Sequence, residues 1–212
     1  MTPTPDAIVE LTALKQWVCW RYETKPGADK PTKVPYQPSG MRASSTDPNT
    51  WSTYEEVKHA PIRFDGVGLV VSEGDPFCGI DLDGCITEDQ KLWGWAELIV
   101  RGFASYTEVT PSGLGLRIWI RGKLPGRGRS KKLPAGGAIE VYDRGRFFTI
   151  TGRPVPGMRT EIAPRQEALD EFLAGQFPEA PPPAPRPPSR PLSLSDQELL
   201  DKALGMADTT AW

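Results

Sequence analysis

Apolar and polar positions alternate with a period of two over several short stretches of this chain, and recur at helical spacing over one longer stretch. WVCWRYE at 17–23 alternates as a strand does, and KPTKVPY at 30–36 reads as an extended segment carrying two prolines. Residues 39–50 read as loop. Ser52 and Glu55 have the spacing of a capping box, which predicts a short helix from 52 to about His59. GVGLVV and FCGIDLD, separated by the turn-rich EGDP, predict two consecutive strands of a hairpin. Leu92, Trp93, Ala96, Ile99, Val100 and Phe103 then recur at helical spacing behind Thr87 as N-cap. SYTEV is expected as a strand, followed by a Pro-Ser-Gly turn and the alternating strand LRIWIR. Residues 122–137 predict a long basic loop, and 138–142 with 146–151 a hairpin around Asp143, Arg144 and Gly145. Antiparallel strands crossed on one face by a helix make the fold class α+β.

The C-terminal sixth changes character. PEAPPPAPRPPSRP at 178–191 favours extended polyproline conformation and cannot pack a core. The expected organisation is therefore one domain at 1–176, a Pro-rich linker at 177–191, and the start of a helical region at 192–212. There Ser195 and Glu198 form a capping-box signature ahead of Leu199, Leu200 and Leu204. That last helix is too short to be a domain, so the chain reads as the N-terminal piece of a longer protein with a further module downstream. The 23 prolines among 212 residues are thus concentrated locally, and a globular core survives the 38% hydrophobic content. No apolar run approaches the ~20 residues of a membrane span, and no export signal opens the chain. Cys19, Cys78 and Cys85 make no disulfide framework, which suits a reducing cytoplasm. The single histidine, His59, excludes paired-histidine zinc sites and most histidine triads.

Asp81 and Asp83 flank Leu82 in FCGIDLD. On a strand, the two carboxylates share one face while Leu82 points to the other. Such a pair can hold divalent cations ~3.5–4 Å apart, and hard oxygen donors suit magnesium or manganese; the plainer reading is a strand that ends and turns at Gly84. Glu140 lies within the apolar AIEVY, where an acid is costly unless a cation or hydrogen bonds satisfy it. It is a candidate third ligand or an outward, solvated glutamate. Glu108 in SYTEV looks similar and suits a supporting role. Between these acids, Ser112, Gly113, Gly115 and Arg117 combine a hydroxyl, two glycines permitting close backbone approach, and a guanidinium suited to phosphate.

The charge is unevenly spread. The chain as a whole carries −2, yet residues 121–153 hold nine basic side chains against Glu140 and Asp143, a net of +7. That asymmetry points to a polyanionic partner. A solvated loop accounts for Arg127, Arg129, Lys131 and Lys132, less well for Arg144 and Arg146 beside Glu140. Lys25, Lys30, Lys33 and Arg42 form a second cluster, as consistent with ordinary exposed lysines as with phosphate contacts. The tryptophans read as packing, and Cys78 and Cys85 as structural.

The ordered series WVCWRYE, KPTKVPY, ASSTDPNTW, DGVGLVV, FCGIDLDGC, SYTEVTPSGLGLRIW and IEVYDRGRFFTITG, over roughly residues 10–155, resembles the phage and mobile-element primase-polymerases of the archaeo-eukaryotic primase superfamily. The resemblance implies an RRM-like antiparallel sheet with an N-terminal α/β module and the active site between them. It assigns the acidic D-x-D motif to Asp81 and Asp83 and the last acid to Glu140. The second motif falls on Ser112, Gly113 and Arg117, with arginine where the family commonly has histidine. Arginine keeps the positive charge but cannot lose its proton near neutral pH.

The implied activity is template-directed nucleotidyl transfer, that is, DNA priming or primer extension with two Mg²⁺ or Mn²⁺ ions. Single-stranded DNA template, primer and dNTP or NTP are the implied partners, with a downstream helicase and no membrane, in the cytoplasm of a bacterial host. Asp81, Asp83 and Glu140 would hold the ions. Ser112, Gly113, Gly115 and Arg117 would cradle the triphosphate, and Arg144, Arg146, Thr149 and Thr151 would lie near the nucleotide. Lys30, Lys33, Arg127, Arg129, Lys131 and Lys132 would track the template. Two rivals stand beside this reading: a metal-dependent nuclease built on the same acids, and a non-catalytic DNA-binding module that recruits a replicative helicase.

Overall fold

The computed structural model describes residues 5–27, 30–134, 136–178 and 198–201. The chain divides into two compact units, Met1–Phe177 and Pro178–Trp212. In the second, residues 198–201 are helical. Ser195, Leu204 and the Pro-rich run at 179–191 fall outside the described residues.

The first unit is α+β, built on two sheets. One has the order β2-β1-β3-β9, with β1 at Trp17–Glu23, β2 at Thr32–Tyr36, β3 at Gly66–Val71 and β9 at Arg146–Ile150, all antiparallel. The other has six strands. Its β4 (Phe77–Asp83) lies between β6 (Leu116–Arg121) and β8 (Ala138–Tyr142). β5 (Thr107–Val109) and the two-residue β10 (Ala163–Pro164) also join β6, and β7 (Arg129–Lys132) closes the far edge.

Period-two alternation divides the second sheet cleanly. Ile80 and Leu82 of β4, Leu116, Ile118 and Ile120 of β6, and Ile139 and Val141 of β8 point to one side. There they meet Ala96, Val100 and Phe103 of α3 (Gly94–Phe103) and Leu169 of α4 (Gln166–Gln176). At about 25 cal/mol per Å² of apolar surface buried, this layer contributes much of the unit's stability. The opposite side of the sheet starts apolar, with Phe77, Gly79, Trp119 and Tyr142, and turns charged one register step further along at Asp81, Arg117 and Glu140. Its apolar end packs with Trp17 and Cys19 of β1, Leu69 and Val71 of β3, Phe148 of β9 and Ile8 and Leu11 of α1 (Asp6–Thr12). Gly79 is what admits Phe148, since a Cβ there would stand 2.6 Å from the Phe148 ring.

Several expectations are corrected. β3 and β4 do not form a hairpin, and neither do β8 and β9; each pair is split between the two sheets. After β3, the Asp75 carboxylate accepts the Ser72 and Phe77 amides at 2.7 and 2.9 Å and the Gln16 amide at 2.8 Å, which turns the chain across to the second sheet. After β8, the fully buried Asp143 accepts the Leu124 amide at 3.0 Å and the Arg144 guanidinium, and the Gly145 amide donates to Val71 O. The short helix α2 (Tyr54–Lys58) is capped by Thr53 and Glu56 rather than Ser52 and Glu55, because the Ser52 backbone is bridged to Trp17. The long helix begins at Gly94, not behind Thr87. Thr87 Oγ1 instead accepts the Lys91 amide, and Gln90, at φ +60°, breaks any helix between them. The expected basic loop contains β7, an edge strand without an apolar face. α1, β10 and α4 had no sequence expectation. No helix among the described residues is long and apolar enough to cross a membrane.

Candidate active site

The charged end of the second sheet is one row of register partners across five strands: Glu108 of β5, Arg117 of β6, Asp81 of β4, Glu140 of β8 and Ser130 of β7. Cross-strand partners share a face, so these side chains stand side by side. Asp83 lies two residues beyond Asp81 on the same face, at the end of β4, and Gly84 (φ +62°) turns the chain immediately afterwards.

Arg117 is nearly buried, and each part of its guanidinium has a neighbour. Nη2 lies 2.7 and 2.8 Å from the two Asp81 oxygens, donating to Oδ2. Nη1 donates to Thr149 Oγ1 at 2.9 Å and to the Thr149 carbonyl, and Cζ rides 4.8 Å over the Phe148 ring. Asp81 Oδ1 and Arg117 Nε, both buried, are left without an aligned partner among the described residues. On the other side of Arg117, Glu108 is fully buried. Its Oε2 accepts the Thr151 and Gly152 amides at 3.2 and 2.9 Å and the hydroxyls of Thr151 and Tyr106, tying β5 to the end of β9. Burial pushes its carboxyl above the ordinary glutamate value. Glu140 pairs with Arg146 at 2.7 Å and faces Ser130 at 3.5 Å.

Asp81, Arg117 and Thr149 open onto a cleft of about 640 Å³ lined from both sheets. Asp81, Asp83 and Arg117 line it from the second sheet, Tyr22, Thr32, Lys33 and Pro35 from β1 and β2, and Arg146, Phe147 and Thr149 from β9. Alternation along β9 sends Phe148 into the core and leaves Phe147 and Thr149 on the cleft side. Asp83 is accessible at the cleft wall and has no hydrogen bond or ion pair among the described residues. Desolvation at the cleft wall, reinforced by the Asp81 and Glu140 charges, raises its carboxyl above the usual aspartate range. Lys33 shows the converse: desolvation and the neighbouring Arg117 lower its ammonium, while Asp81 and Asp83 partly offset them.

The structure thus brings Asp81, Asp83, Arg117, Lys33, Arg146 and Thr149 to one cleft, with Glu140 beside Arg146. Lys33 was expected along the template, but stands with the acids. Ser112, Gly113 and Gly115 lie on the β5–β6 turn and do not line the cleft. Ser112 Oγ bonds Thr110 and the Leu114 amide, and Gly115 packs against the Leu82 and Asp83 backbone. Arg144 is likewise engaged elsewhere, by Asp143 and by Glu73 at 2.8 Å. Thr151 donates to Glu108 and to Val109 O at 2.7 Å. Lys30 is exposed beside β2. Along β7, alternation divides the basic residues: Lys132 shares the acid side with Ser130, whereas Arg129 and Lys131 take the helix side. There Lys131 donates to the Gln176 carbonyl at the end of α4, 2.9 Å away. Tyr22, Phe147 and Ser45, which line the cleft, were missed from the sequence. The signal for Phe147 was its period-two relation to Thr149.

Among the described residues, no three acidic, histidine or cysteine side chains converge as a ready metal centre. The donor set nevertheless fits a hard divalent cation in part. Asp81 Oδ1 is a buried oxygen without an aligned donor, and Asp83 is unpaired on the same face.

No family model matches the chain. It is similar to a DNA primase-polymerase of Nitratiruptor phage NrS-1, 39% identical over 178 residues that make up 82% of this chain and 23% of that protein. The chain therefore spans about a quarter of the length of the curated relative it matches. Over most of its own length, the chain is a relative of a phage DNA primase-polymerase.

Proposed function

We propose that residues 1–176 form a catalytic domain of the archaeo-eukaryotic primase type, with its RRM-like sheet represented by β4, β5, β6 and β8, and that it carries out template-directed nucleotidyl transfer in priming or primer extension. The observation that carries this reading is the placement of Asp81 and Asp83 on one face, with Glu140 in register beside Asp81, at a cleft whose other wall is cationic. Asp81, Asp83 and Glu140 would hold two Mg²⁺ or Mn²⁺ ions, which when bound acidify the attacking hydroxyl and stabilise the in-line displacement. Lys33 faces Asp81 and Asp83 across the cleft, and Arg146, paired with Glu140, lines it beside them; both suit the triphosphate, Lys33 as a point charge and Arg146 as a planar fork. Tyr22 and Phe147 offer apolar surfaces for base or sugar. Glu108 anchors the sheet through Thr151 and Gly152 and makes no contact with substrate.

The expected triphosphate cradle at Ser112, Gly113, Gly115 and Arg117 moves in this reading to Lys33 and Arg146, because the turn lies off the cleft and Arg117 is occupied by Asp81 and Thr149. Lys30, Arg127 and Lys132 are the basic side chains we assign to the DNA backbone. The helicase partner and the two-metal stoichiometry belong to the same proposal.

The test is binding of a fluorescent, non-hydrolysable dNTP to the 212-residue chain with and without Mn²⁺. Saturable, Mn²⁺-dependent binding, weakened at least tenfold in Lys33→Ala and Arg146→Ala, is expected. Degradation of DNA by the wild type without nucleotide binding would favour the nuclease. DNA binding alone would favour a non-catalytic module.

A further inference from the structure

Arg117 occupies an unusual position in the charge row. It is 3% exposed, flanked in register by two carboxylates, Glu108 and Asp81, and anchored from a third strand by Thr149. A buried acid beside a buried base is stable only while both are present, since removing either leaves an unpaired charge out of water. Asp81 is the acid that, in the reading above, must also bind a divalent cation. One of its oxygens is already committed to Arg117, and the guanidinium charge sits within hydrogen-bond distance of both. A cation arriving at Asp81 therefore meets a fixed positive charge that it must repel or displace.

We propose that Arg117 is the resident cation of this site: a positioning residue that holds Asp81 in place and neutralised until metal is recruited, and so keeps divalent affinity of the nucleotide-free site low. This inference rests on the two-metal reading. Three observations support it. The Arg117–Asp81 pair is sequestered from solvent, with side chains 4% and 13% exposed, so solvent screens it little. Thr149 contributes two acceptors and Phe148 a ring face to the same guanidinium, giving Arg117 one preferred pose with its Nη2 on Asp81. Asp83, which has no such partner, stays open to the cleft, so a cation has one free carboxylate and one already held. An incoming triphosphate, held by Lys33 and Arg146, brings anionic oxygens that compensate the charge of a metal beside the Arg117 guanidinium. Metal and nucleotide then bind with positive coupling, and each raises the affinity for the other by the same factor.

The experiment measures Mn²⁺ affinity of the full chain by electron paramagnetic resonance titration, without nucleotide, together with the thermal midpoint in EDTA and in Mn²⁺. In Arg117→Gln, the midpoint in EDTA should fall below wild type, while Mn²⁺ affinity should rise at least tenfold and Mn²⁺ should restore much of the lost midpoint. Thr149→Val keeps the charge but removes a hydroxyl anchor, so it should tighten Mn²⁺ binding by a smaller factor; it carries the test should Arg117→Gln not fold. Arg117→Lys should stay near wild type in affinity. A purely structural role for Arg117 would weaken Mn²⁺ binding in Arg117→Gln and Thr149→Val alike, and that result, or unchanged affinity in both, overturns the proposal. Absence of Mn²⁺ binding in every variant, even with saturating triphosphate, would overturn the two-metal reading itself and this inference with it.

Discussion

Gly79 to alanine is the substitution whose effect follows most directly from the packing. A Cβ at position 79 would stand 2.6, 2.7 and 3.0 Å from three atoms of the Phe148 ring, where carbon–carbon contacts are normally about 3.5–4.0 Å. The two strands, or the ring, must therefore move by about 1 Å. Phe148 has little freedom to do so, being 1% exposed with its ring 5.4 Å from Trp119 and 6.4 Å from Tyr142. Overpacking of this kind costs roughly 1–3 kcal/mol, and a stiff aromatic wall places Gly79→Ala near the upper end, at about 2–3 kcal/mol. For a unit of this size the thermal midpoint should drop by about 4–12 °C. Phe148→Leu removes the ring and loses about 2 kcal/mol of burial on its own. The double variant should be less destabilised than the sum of the two, because the shorter side chain vacates the space the new methyl needs. Urea denaturation of the four proteins in the cycle measures this coupling. Additivity within about 0.5 kcal/mol, or a Gly79→Ala cost below that figure, would refute the account of how the sheets meet beside Asp81.

Other substitutions separate structure from chemistry. Asp81→Ala should cost about 3–5 kcal/mol in urea denaturation, since it strands the buried Arg117, whereas Asp83→Ala, at an exposed and unpaired residue, should stay within about 0.5 kcal/mol; equal costs would contradict the pairing described. Burial raises the Glu108 carboxyl, so this group's contribution to stability is complete below the unfolded value of about 4.3 and is lost as pH rises through the folded one. Glu108→Gln should accordingly flatten the decline in urea midpoint from pH 5 to pH 8, and an unchanged slope would count against it. Leu169→Ala should destabilise by about 2–5 kcal/mol if α4 closes the helix-side core as its full burial indicates.

The sequence announced those parts of this protein that depend on alternation. β1, β4, β6 and β8 fall where the period-two pattern places them, and it put Asp81 and Asp83 on one face opposite Leu82. What alternation cannot encode is which strand pairs with which. The hairpins expected at Asp75 and Asp143 fail because buried aspartates there hold the crossings, Asp75 through the amides on either side of it and Asp143 through the distant Leu124 amide, and a carboxylate in a turn looks the same in sequence whether the chain reverses or crosses. β7 was missed because an edge strand held by backbone bonds needs no apolar side chains. The cleft was half legible: the acids could be read locally, while Lys33, Tyr22 and Phe147 reach them only through the meeting of two sheets. Arg117 pointed to phosphate by its chemistry, and only the cross-strand register reveals that Asp81 holds it.

In the proposed reading Asp83, with Asp81 and Glu140, supports nucleotidyl transfer on a DNA template. The direct measurement is extension of a primed single-stranded DNA template by the 212-residue chain with labelled dNTPs and Mg²⁺ or Mn²⁺, beside Asp83→Ala, the acidic variant expected to leave stability unchanged. Template-directed extension by the wild type, lost in Asp83→Ala while its urea midpoint holds, is the predicted result. Extension by Asp83→Ala at the wild-type rate would contradict the account.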